Sequence, residues 1–479
     1  MKLYSENKNY KLYQGDMLDM LEAIEPNSID SIVTDPPYEL NFMGKGWDNA
    51  GVSFNANTWK QCYEALKPGG YLLAFGGSRT YHRIAVAIED AGFEIRDTIM
   101  WLYGSGFPKS MNIGLAIDKK NGVESKVVGV GKSGSSDTHT RTMNSETKDG
   151  KSVFGGEYEI KQAQNEWNGW GTALKPSFEP IIVARKPFKG SLVDNVIANG
   201  VGGLNIDECR VGNETDKVNI NDFSNQHGNK FGNGEPIAKL GEKEVVGRFP
   251  ANTILTYDET DFEEVCGGFP YTKSAKNGIR QSDGENANCY GKGIGIKAGM
   301  NNGEYGDSGS ASRYFYCAKA SKKDRDEGCQ ELEDTYNACS NQAIAEQKRG
   351  NNNFADENNS TFNKVYVGKN THPTVKPTAL MQYLVRLVTP NGGTILDPFN
   401  GSGSTGKAVM YENKEKNKNY KYIGIELTEE YLPIAQARIE FVCSKEEKVE
   451  DNQITIYDYD DIRFWGVIWK IWNYQFYRA

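Results

Sequence analysis

The stretch Ser28-Ile29-Asp30-Ser31-Ile32-Val33-Thr34-Asp35-Pro36-Pro37-Tyr38 joins a short apolar run to a rigid polar loop. Residues 28–34 have the length and composition of a buried β-strand. Two consecutive prolines end that strand, because neither can donate a backbone hydrogen bond to a neighbouring strand. The stretch therefore predicts a carboxylate, free carbonyl oxygens and an aromatic ring at the carboxyl end of a strand, where open α/β sheets bind their ligands.

Two interpretations of residues 35–38 differ in what these groups do. An Asp-Pro pair alone is typical of an ordinary turn that faces solvent. The complete tetrapeptide favours a binding loop, because its oxygens can accept hydrogen bonds from an exocyclic amino group while the Tyr38 ring stacks on a flat base.

Strand and helix patterns alternate around this stretch. The strand patterns lie at residues 10–14, 28–34, 71–75, 93–102, 180–184, 394–396 and 422–425. Helical periodicity falls between most of them, for example over residues 380–388, where Leu380, Leu384 and Leu387 share one face. Short connections between alternating strands and helices predict an α/β protein with a doubly wound, mostly parallel sheet.

The regular pattern is interrupted twice and ends before the C-terminus. Gly, Ser, Thr and Lys dominate residues 119–171, which predicts a flexible insertion. Gly and Asn dominate residues 189–370, which predicts a separate irregular module. The predicted organisation is an α/β domain in two parts with two insertions and an aromatic-rich C-terminal tail, at residues 1–118 and 172–188, 119–171, 189–370, 371–445 and 446–479.

The composition limits the classes of function. A formal net charge of -9 gives no overall basic signature of nucleic-acid binding, although an acidic chain can still carry a local basic groove. The eight Cys form no C-x-x-C pair and only four His are present, so we predict no structural metal site. We also predict a cytoplasmic protein without a membrane span, because no run of about 18 apolar residues occurs.

A glycine-rich loop follows the strand at 394–396. Residues 401–406 match G-x-G-x-x-G, and Glu426 lies 20 residues after Gly406, at the end of the next strand. Residues 401–407 also nearly match a phosphate-binding loop, but Ala408 stands where that loop needs Ser or Thr to hold Mg²⁺. The spacing predicts a nucleoside-bearing ligand whose ribose contacts Glu426, and a dinucleotide is one such ligand.

The residues Asp397-Pro398-Phe399 in front of the glycines favour a different nucleoside. A carboxylate at this strand end would repel a pyrophosphate but attract a cationic sulfonium group. S-adenosylmethionine combines ribose, adenine and a positive charge, and the glycines would allow the backbone to approach it closely. We therefore favour this methyl donor over the dinucleotide.

With both loops in view, the chain resembles the amino methyltransferases of DNA, in the permuted order called the β class and with the large central region of its phage-type members. Residues 35–38 match the catalytic motif of that family, and residues 395–403 match its cofactor motif. Residues 372–388 are similar to the helix that precedes the cofactor motif. The catalytic motif comes first and the cofactor motif last, which is the β-class arrangement.

The resemblance implies a fold and a reaction. The fold would be a circularly permuted, Rossmann-like, S-adenosylmethionine-dependent methyltransferase fold, with a seven-stranded sheet that contains one antiparallel strand. Residues 189–370 would be the target-recognition module. The target nucleotide would be flipped out of the duplex, because its amino group cannot be reached inside the stack.

The resemblance also implies roles for individual residues. Catalysis is assigned to Asp35, Pro36, Pro37 and Tyr38: Asp35 and the Pro36 carbonyl would accept the amine hydrogens, and Tyr38 would stack on the base. Asp16 would lie near the cofactor's adenine, and Glu426 would hold its ribose. The full set of implied cofactor contacts is Asp16, Asp35, Thr374, Lys376, Pro377, Asp397, Pro398, Phe399, Gly401, Ser402, Gly403, Thr405, Glu426 and Leu427.

The implied activity is site-specific methyl transfer to the N6 amine of adenine in double-stranded DNA, in a bacterial or phage-encoded enzyme. Methylation of cytosine N4 stays open, because Asp at the first catalytic position only leans towards adenine. The chain has no Pro-Cys dipeptide, so it lacks the motif of the enzymes that methylate the cytosine ring carbon. An inactive DNA-binding module and a nicotinamide-dinucleotide oxidoreductase are more distant alternatives. A homodimer and a cognate restriction endonuclease on a separate chain also stay open.

Overall fold

The computed structural model describes the α/β part of the chain and several short pieces of the region between. The described residues are 2–40, 48, 50–103, 110–132, 157–221, 239–257, 271–273, 308–310, 315–319, 322–332, 335–338 and 365–444. Residues 1–442 form one compact unit and residues 443–479 form a second. The aromatic-rich stretch at 464–477 lies outside the described residues, as do residues 446–479 as a whole.

The strands are β1 (Lys2–Glu6), β2 (Tyr10–Gln14), β3 (Ile29–Thr34), β4 (Leu66–Phe75), β5 (Glu94–Tyr103), β6 (Lys126–Lys132), β7 (Glu157–Gln162), β8 (Phe178–Arg185), β9 (Val211–Asn221), β10 (Lys239–Arg248), β11 (Thr253–Tyr257), β12 (Tyr271–Lys273), β13 (Ser308–Ser310), β14 (Tyr316–Lys319), β15 (Thr335–Ala338), β16 (Val365–Gly368), β17 (Thr394–Asp397) and β18 (Lys421–Glu426). The α-helices are α1 (Met17–Leu21), α2 (Ala56–Ala65), α3 (Tyr81–Asp90), α4 (Ile113–Lys120), α5 (Leu192–Asn199), α6 (Lys322–Asp326), α7 (Thr378–Val388), α8 (Ser404–Lys416) and α9 (Leu432–Ser444). Within the described ranges, no helix is long and apolar enough to cross a bilayer.

The main sheet has the order β1-β2-β18-β17-β3-β4-β8-β5-β11-β14. Strand β1 is antiparallel to β2, strand β8 is antiparallel to both of its neighbours, and the other pairs are parallel. The seven strands from β2 to β5 in this order contain one antiparallel member, β8. This confirms the expected doubly wound, mostly parallel sheet, and three further strands extend its two edges.

Two of these additional strands come from the region that we predicted to be a separate irregular module at 189–370. Strand β11 pairs in parallel with β5 and buries Ile254 and Leu255. Strand β14 pairs in parallel with β11. This part of the region therefore belongs to the α/β unit. The Gly- and Asn-rich sequence around these strands gave no strand pattern, because a short edge strand is stabilised mainly by the sheet that it joins.

The segment predicted as a flexible insertion, residues 119–171, also contains regular structure where it is described. Strands β6 and β7 pair as an antiparallel ribbon. An isolated bridge joins Asn112 to Gly171 and closes the base of the segment. We expected a flexible insertion on the basis of composition alone, and the pairing of β6 with β7 differs from that expectation.

Alternate residues along the parallel strands face two layers of helices. On one face, Ile32 and Leu396 pack with Trp59 of α2 in a buried cluster. On the other face, Tyr422 of β18 lies against Gly406 of α8, where an added Cβ would come within 2.6 Å of the ring. Each fully buried Leu, Ile or Phe contributes roughly 1.5–3 kcal/mol. The two layers stabilise the faces of the sheet and leave the strand ends free to form a site.

One edge of the sheet collects the acidic residues of the predicted site. The carboxyl ends of β18, β17 and β3 lead into Glu426, Asp397 and Asp35 at adjacent positions of the strand order. Because β8 runs antiparallel to these strands, its amino end lies at the same edge and brings Glu179 with it. The topology therefore places four carboxylates around one opening.

Candidate active site

A cavity of about 1110 Å³ lies at this edge of the sheet, and both predicted loops line it. Strands β3 and β17 are parallel neighbours, with Leu396 opposite Ile32. The Thr34 hydroxyl donates a hydrogen bond of 2.6 Å to Asp397 Oδ1, which links the two strand ends directly. The loop at residues 35–38 and the glycine loop therefore face one pocket.

Most of the predicted site residues are on the cavity wall. They are Asp16, Asp35, Pro36, Pro37, Tyr38, Thr374, Lys376, Asp397, Pro398, Phe399, Gly401, Ser402, Thr405, Glu426 and Leu427. Gly403 and Pro377, which were also predicted to contact the cofactor, are not on this wall. Gly403 has φ +72°, and a Cβ there would lie 2.9 Å from Ala435 Cα, so packing against α9 requires the glycine. Pro377 occupies the N-cap position of α7.

Lys376 lies at the centre of the catalytic loop's contacts. Its Nζ is 2.8 Å from Asp35 Oδ2, 3.2 Å from Glu179 Oε2 and 3.2 Å from the Tyr38 hydroxyl. The ammonium group has three donors, and these three acceptors satisfy them. Burial by itself would lower the pKa of Lys376, but the Asp35 and Glu179 carboxylates outweigh burial and hold that pKa well above its usual value. Lys376 is therefore a fixed cation.

Tyr38 is held at both its backbone and its hydroxyl. The Thr80 hydroxyl donates to the Tyr38 carbonyl at 2.8 Å, and the Tyr38 hydroxyl donates to Glu179 Oε2 at 2.7 Å. Burial, followed by the charges of Asp35 and Glu179, raises the pKa of Tyr38 well above its usual value, so the phenol stays protonated. The ring therefore has a fixed position beside the Asp35 carboxylate.

Asp35 has one committed oxygen and one uncommitted oxygen. Oδ2 pairs with Lys376, whereas Oδ1 is buried and has no hydrogen-bond partner. Among the described residues, it is the one buried side-chain oxygen in that condition. A buried acceptor without a donor costs roughly 1–3 kcal/mol, so such groups in folded proteins call for an explanation. An amine from a ligand in the cavity would supply the missing donor.

On the glycine-loop side, Asp397 is fully engaged. Its Oδ1 accepts from Thr34, and its Oδ2 accepts from the Thr405 hydroxyl at 2.6 Å. The Phe399 amide adds a bond of 3.2 Å to Oδ1. Burial raises the pKa of Asp397 to about 6 in spite of these bonds. Asp397 thus fixes the shape of the loop in addition to forming part of the cavity wall.

Glu426 holds the start of the same loop. Its Oε2 accepts from the Gly401 amide at 2.6 Å, and its Oε1 accepts from the Thr428 amide at 2.8 Å. Burial raises the pKa of Glu426 to about 7, although both amides oppose that shift. Each carboxylate oxygen has a second lone pair, so Glu426 can still accept from ligand hydroxyls. Gly401 has φ +51°, and a Cβ there would meet His372 Nε2 at 2.9 Å.

Beneath the glycine loop lies a group of buried charges that the sequence did not predict. Arg438 of α9 donates to the Ser402 carbonyl at 2.8 Å and to the Ser404 hydroxyl at 3.0 Å. Lys407 is fully buried and lies 2.6 Å from Asp324 Oδ1, so it serves structure and does not face the cavity. Asp324 belongs to α6, in the region that we expected to be a separate module.

Asp324 also holds the start of α7. Its carboxylate accepts from the Thr378 amide at 2.7 Å and from the Thr378 hydroxyl at 2.5 Å. No local motif marks Asp324, Lys407 or Arg438, because their partners lie 34 to 114 residues away in the chain. Glu179 was missed for the same reason, since its partner Tyr38 is 141 residues away. An acidic residue at the amino end of an antiparallel strand can be recognised as a site residue only when the order of the strands in the sheet is known.

Known proteins are similar to this chain over parts of its length. The family model described as DNA methylase, of the N6/N4 type, matches residues 29–437. The Type II methyltransferase M.HindIII of Haemophilus influenzae is 22% identical in an alignment of 239 residues that covers 40% of this chain and 64% of that protein. The Type II methyltransferase M2.DpnII of Streptococcus pneumoniae is 40% identical over 81 residues, 17% of this chain and 28% of that protein. This chain thus spans less than two thirds of the length of either relative.

Solved structures of similar proteins cover most of the chain at low identity. The complex of M1.HpyAVI with SAM shares 15% identity, covers 90% of this chain and 99% of its own, and has a TM-score of 0.32. The cytosine-N4-specific PvuII DNA methyltransferase shares 13% identity over 93% of this chain and 88% of its own, with a TM-score of 0.36. The family match covers most of the 479 residues, so the chain belongs to the N6/N4 DNA methylase family.

Proposed function

We propose that the protein transfers a methyl group from S-adenosylmethionine to the exocyclic N6 amine of adenine in double-stranded DNA. The observation that carries this proposal is Asp35 Oδ1, a buried acceptor without a donor, in a cavity that the glycine loop and Glu426 also line. Membership of the N6/N4 DNA methylase family supports the same reaction class.

The cavity residues fit S-adenosylmethionine. The loop residues Gly401 and Ser402 line the cavity, and Glu426 retains lone pairs for ribose hydroxyls. Asp397, at the end of β17, adds a carboxylate to the same wall of the cavity, which suits a sulfonium cation. The volume of about 1110 Å³ exceeds the upper end of ordinary ligand pockets, about 1000 Å³, and so leaves room for a second bound group.

When bound, S-adenosylmethionine supplies an electrophilic methyl group. The protein's contribution is to the amine, which is a poor nucleophile because its lone pair is delocalised into the ring. Asp35 Oδ1 and the Pro36 carbonyl accept the two N–H groups, which draws the nitrogen towards tetrahedral geometry and localises its lone pair. Tyr38, fixed through Thr80 and Glu179, presents its ring to the base. Most of the rate enhancement then comes from position and orientation.

The target base has to leave the duplex to enter this cavity. Its amino group is covered by stacking and pairing inside a duplex, and extrusion of the nucleotide costs a few kcal/mol. Adenine is the favoured target because Asp occupies the first position of the catalytic tetrapeptide. Cytosine N4 presents an amine of the same kind, so the identity of the product decides between the two bases. We expect the enzyme to act in the cytoplasm of a bacterium.

The test is expression of the chain in bacterial cells that lack DNA methylation. Genomic DNA is digested to nucleosides, and N6-methyladenine and N4-methylcytosine are quantified by mass spectrometry. Single-molecule sequencing of the same DNA gives the recognition site. We expect N6-methyladenine at one sequence context, and none of it with Asp35→Ala. The matched control is Asp19→Ala, which removes an exposed carboxylate of α1 outside the cavity wall.

Two other results have definite meanings. Methylation confined to cytosine N4 would show that cytosine is the target base and would leave the proposed mechanism unchanged. Unmodified DNA from cells that contain folded protein able to bind S-adenosylmethionine would refute the proposed function.

A further inference from the structure

Glu179 is a cavity residue to which neither the motifs nor the family resemblance assigns a role. It is the second residue of β8, opposite Trp101 of β5 in the register. Its Oε2 accepts from Tyr38 at 2.7 Å and lies 3.2 Å from Lys376 Nζ, and its Oε1 accepts from the Tyr103 hydroxyl at 3.3 Å. The Glu179 carboxylate therefore contacts both neighbours of the catalytic Asp35.

The first consequence concerns the geometry of Asp35. The three donors of Lys376 are shared among Asp35 Oδ2, Glu179 Oε2 and the Tyr38 hydroxyl. Because Glu179 takes one donor, the ammonium group contacts only one oxygen of Asp35. Without Glu179, that donor would have no partner, and Asp35 Oδ1 is a free acceptor on the carboxylate that Lys376 already contacts. Glu179 thus keeps Oδ1 available.

The second consequence concerns charge. Asp35 and Lys376 alone form a neutral pair, and Glu179 returns the cluster to a net charge of about −1. As the amine nitrogen bonds to the methyl carbon, the carbon–sulfur bond breaks and sulfur keeps that electron pair. Positive charge passes to the nitrogen, which then releases one proton to water. A carboxylate fixed near the developing charge stabilises it more effectively in a buried site than in water.

We propose that Glu179 is a positioning residue for methyl transfer, which acts through Lys376 and Tyr38 to keep Asp35 Oδ1 free for the target amine and the cluster negatively charged. This inference rests on the proposed function. It adds a residue from a different strand to the catalytic tetrapeptide. It also assigns Lys376 the task of holding Asp35 Oδ2, in addition to the cofactor contact that the resemblance implied.

Two substitutions separate charge from geometry. Glu179→Gln removes the charge at nearly constant shape, and Glu179→Asp keeps the charge on a shorter side chain. We expect Glu179→Gln to lower the single-turnover rate at saturating S-adenosylmethionine by roughly 10- to 100-fold, as for the loss of one preorganised charged group. Cofactor affinity should stay within about threefold, and Glu179→Asp should recover part of the rate. The substrate is a duplex that carries the mapped recognition site.

A matched control lies on the same pair of strands. Glu94 is paired with Arg185 at 2.8 Å, at the opposite end of the β5–β8 pair from Glu179. The substitution Glu94→Gln therefore removes a carboxylate from the same sheet region without touching the cavity. We expect this variant to keep the wild-type rate.

A second measurement detects the interaction between Glu179 and Lys376 without a measurement of catalysis. The titratable groups that face Lys376 are Asp35, Tyr38, Tyr103, Glu179 and His372. Burial lowers the pKa of Lys376 and the two carboxylates raise it, so removal of one carboxylate must shift it downwards. NMR of protein labelled with ¹³C-lysine should show Lys376 losing its proton at lower pH in Glu179→Gln than in the wild type. The alkaline limit of the rate should move in the same direction.

The outcomes separate this inference from the proposed function. A Glu179→Gln rate within about twofold of wild type would overturn the inference. So would equal losses in both variants that track a fall in stability while the pKa of Lys376 is unchanged, because that pattern indicates only a structural role. Wild-type protein that transfers no methyl group to DNA, but whose Lys376 pKa still depends on Glu179, would refute the function and leave the coupling established.

Discussion

Two walls of the cavity differ in how their carboxylates are hydrogen-bonded. The glycine-loop wall contains Asp397 and Glu426, whose oxygens all accept hydrogen bonds from the protein, whereas the wall formed by residues 35–38 leaves one oxygen of Asp35 without a partner. Asp397 and Glu426 each accept hydrogen bonds at both oxygens from neighbouring residues. Asp35 pairs through Oδ2 with Lys376, and its Oδ1 has no donor. The glycine-loop wall therefore keeps its shape without a ligand, whereas Asp35 can still accept a hydrogen bond from one.

The difference also has an energetic side. An unsatisfied buried acceptor costs roughly 1–3 kcal/mol, so Asp35 is held in place at some expense of stability. The contacts that offset this cost are those of Lys376 with Asp35, Glu179 and Tyr38. Local violations of hydrogen-bond satisfaction in an otherwise consistent structure are expected at functional sites. The two walls thus predict that substitutions on one side affect chemistry and those on the other affect stability and cofactor binding.

The largest effect is expected from Asp35→Ala, which removes the uncommitted acceptor. The rate of methyl transfer should fall by at least about 10³-fold, because both the acceptor and the orientation of the amine are lost. Binding of S-adenosylmethionine, measured by calorimetry, should change by less than about threefold, since the glycine-loop wall is intact. A variant with full activity would show that Asp35 does not orient the amine.

The next largest effect concerns the buried charges that support the glycine loop. Arg438→Met removes the donors to the Ser402 carbonyl and the Ser404 hydroxyl and one cation near Asp324. Loss of one partner from a buried charge network costs about 3–5 kcal/mol, which urea denaturation would measure as a fall in the free energy of unfolding. The control is Arg96→Met, at an exposed pair with Glu94, for which we expect less than about 1 kcal/mol. Equal effects of the two substitutions would contradict a supporting role for Arg438.

Glu426→Gln should weaken the binding of S-adenosylmethionine by about 10- to 100-fold. The amide can no longer accept at both positions, because its NH₂ group would face the backbone donor of either Gly401 or Thr428. Loss of a charge-assisted acceptor and of the loop contact together accounts for roughly 1.5–3 kcal/mol. Glu430→Gln, an exposed neighbour outside the cavity wall, is the matched control. Unchanged affinity in titration calorimetry would reject a ribose contact for Glu426.

The smallest effect is the pH dependence of the same contact. Burial raises the pKa of Glu426 to about 7, so the carboxyl group takes up a proton as the pH falls through 7. A ligand that binds the ionised form better must lose affinity as the pH falls, by up to about tenfold between pH 8 and pH 6 for a pKa near 7. We expect this dependence in the wild type and its absence in Glu426→Gln. An identical profile in both proteins would assign the titration to another group.

The parts that sequence reasoning predicted are those encoded by neighbouring residues. Residues 35–38 and 401–403 form loops at strand ends because prolines and glycines set the backbone locally. The glycine motif continues into helix α8, which runs from Ser404 to Lys416. Its last turn carries Lys414 and Lys416, which stabilise the carboxyl end of a helix dipole.

The parts that sequence reasoning missed depend on which strands become neighbours. Glu179 is found only when β8 is known to insert in the antiparallel direction between β4 and β5. Asp324 lies in a Gly- and Asn-rich region, and its role depends on the contacts of α6 with Lys407 and Thr378. Strands β11 and β14 carry no local signal for the strands that they pair with, and their stability comes from the edge that they extend.

The most direct test compares Asp35→Ala and Glu426→Gln in one assay, the single-turnover rate of methyl transfer to DNA at saturating S-adenosylmethionine. Excess cofactor should restore Glu426→Gln to within about tenfold of the wild type, because that substitution mainly weakens binding. It should leave Asp35→Ala at least about 10³-fold slower, because the acceptor for the amine is gone. Recovery of both variants, or of neither, would contradict the assignment of cofactor binding to one wall and chemistry to the other.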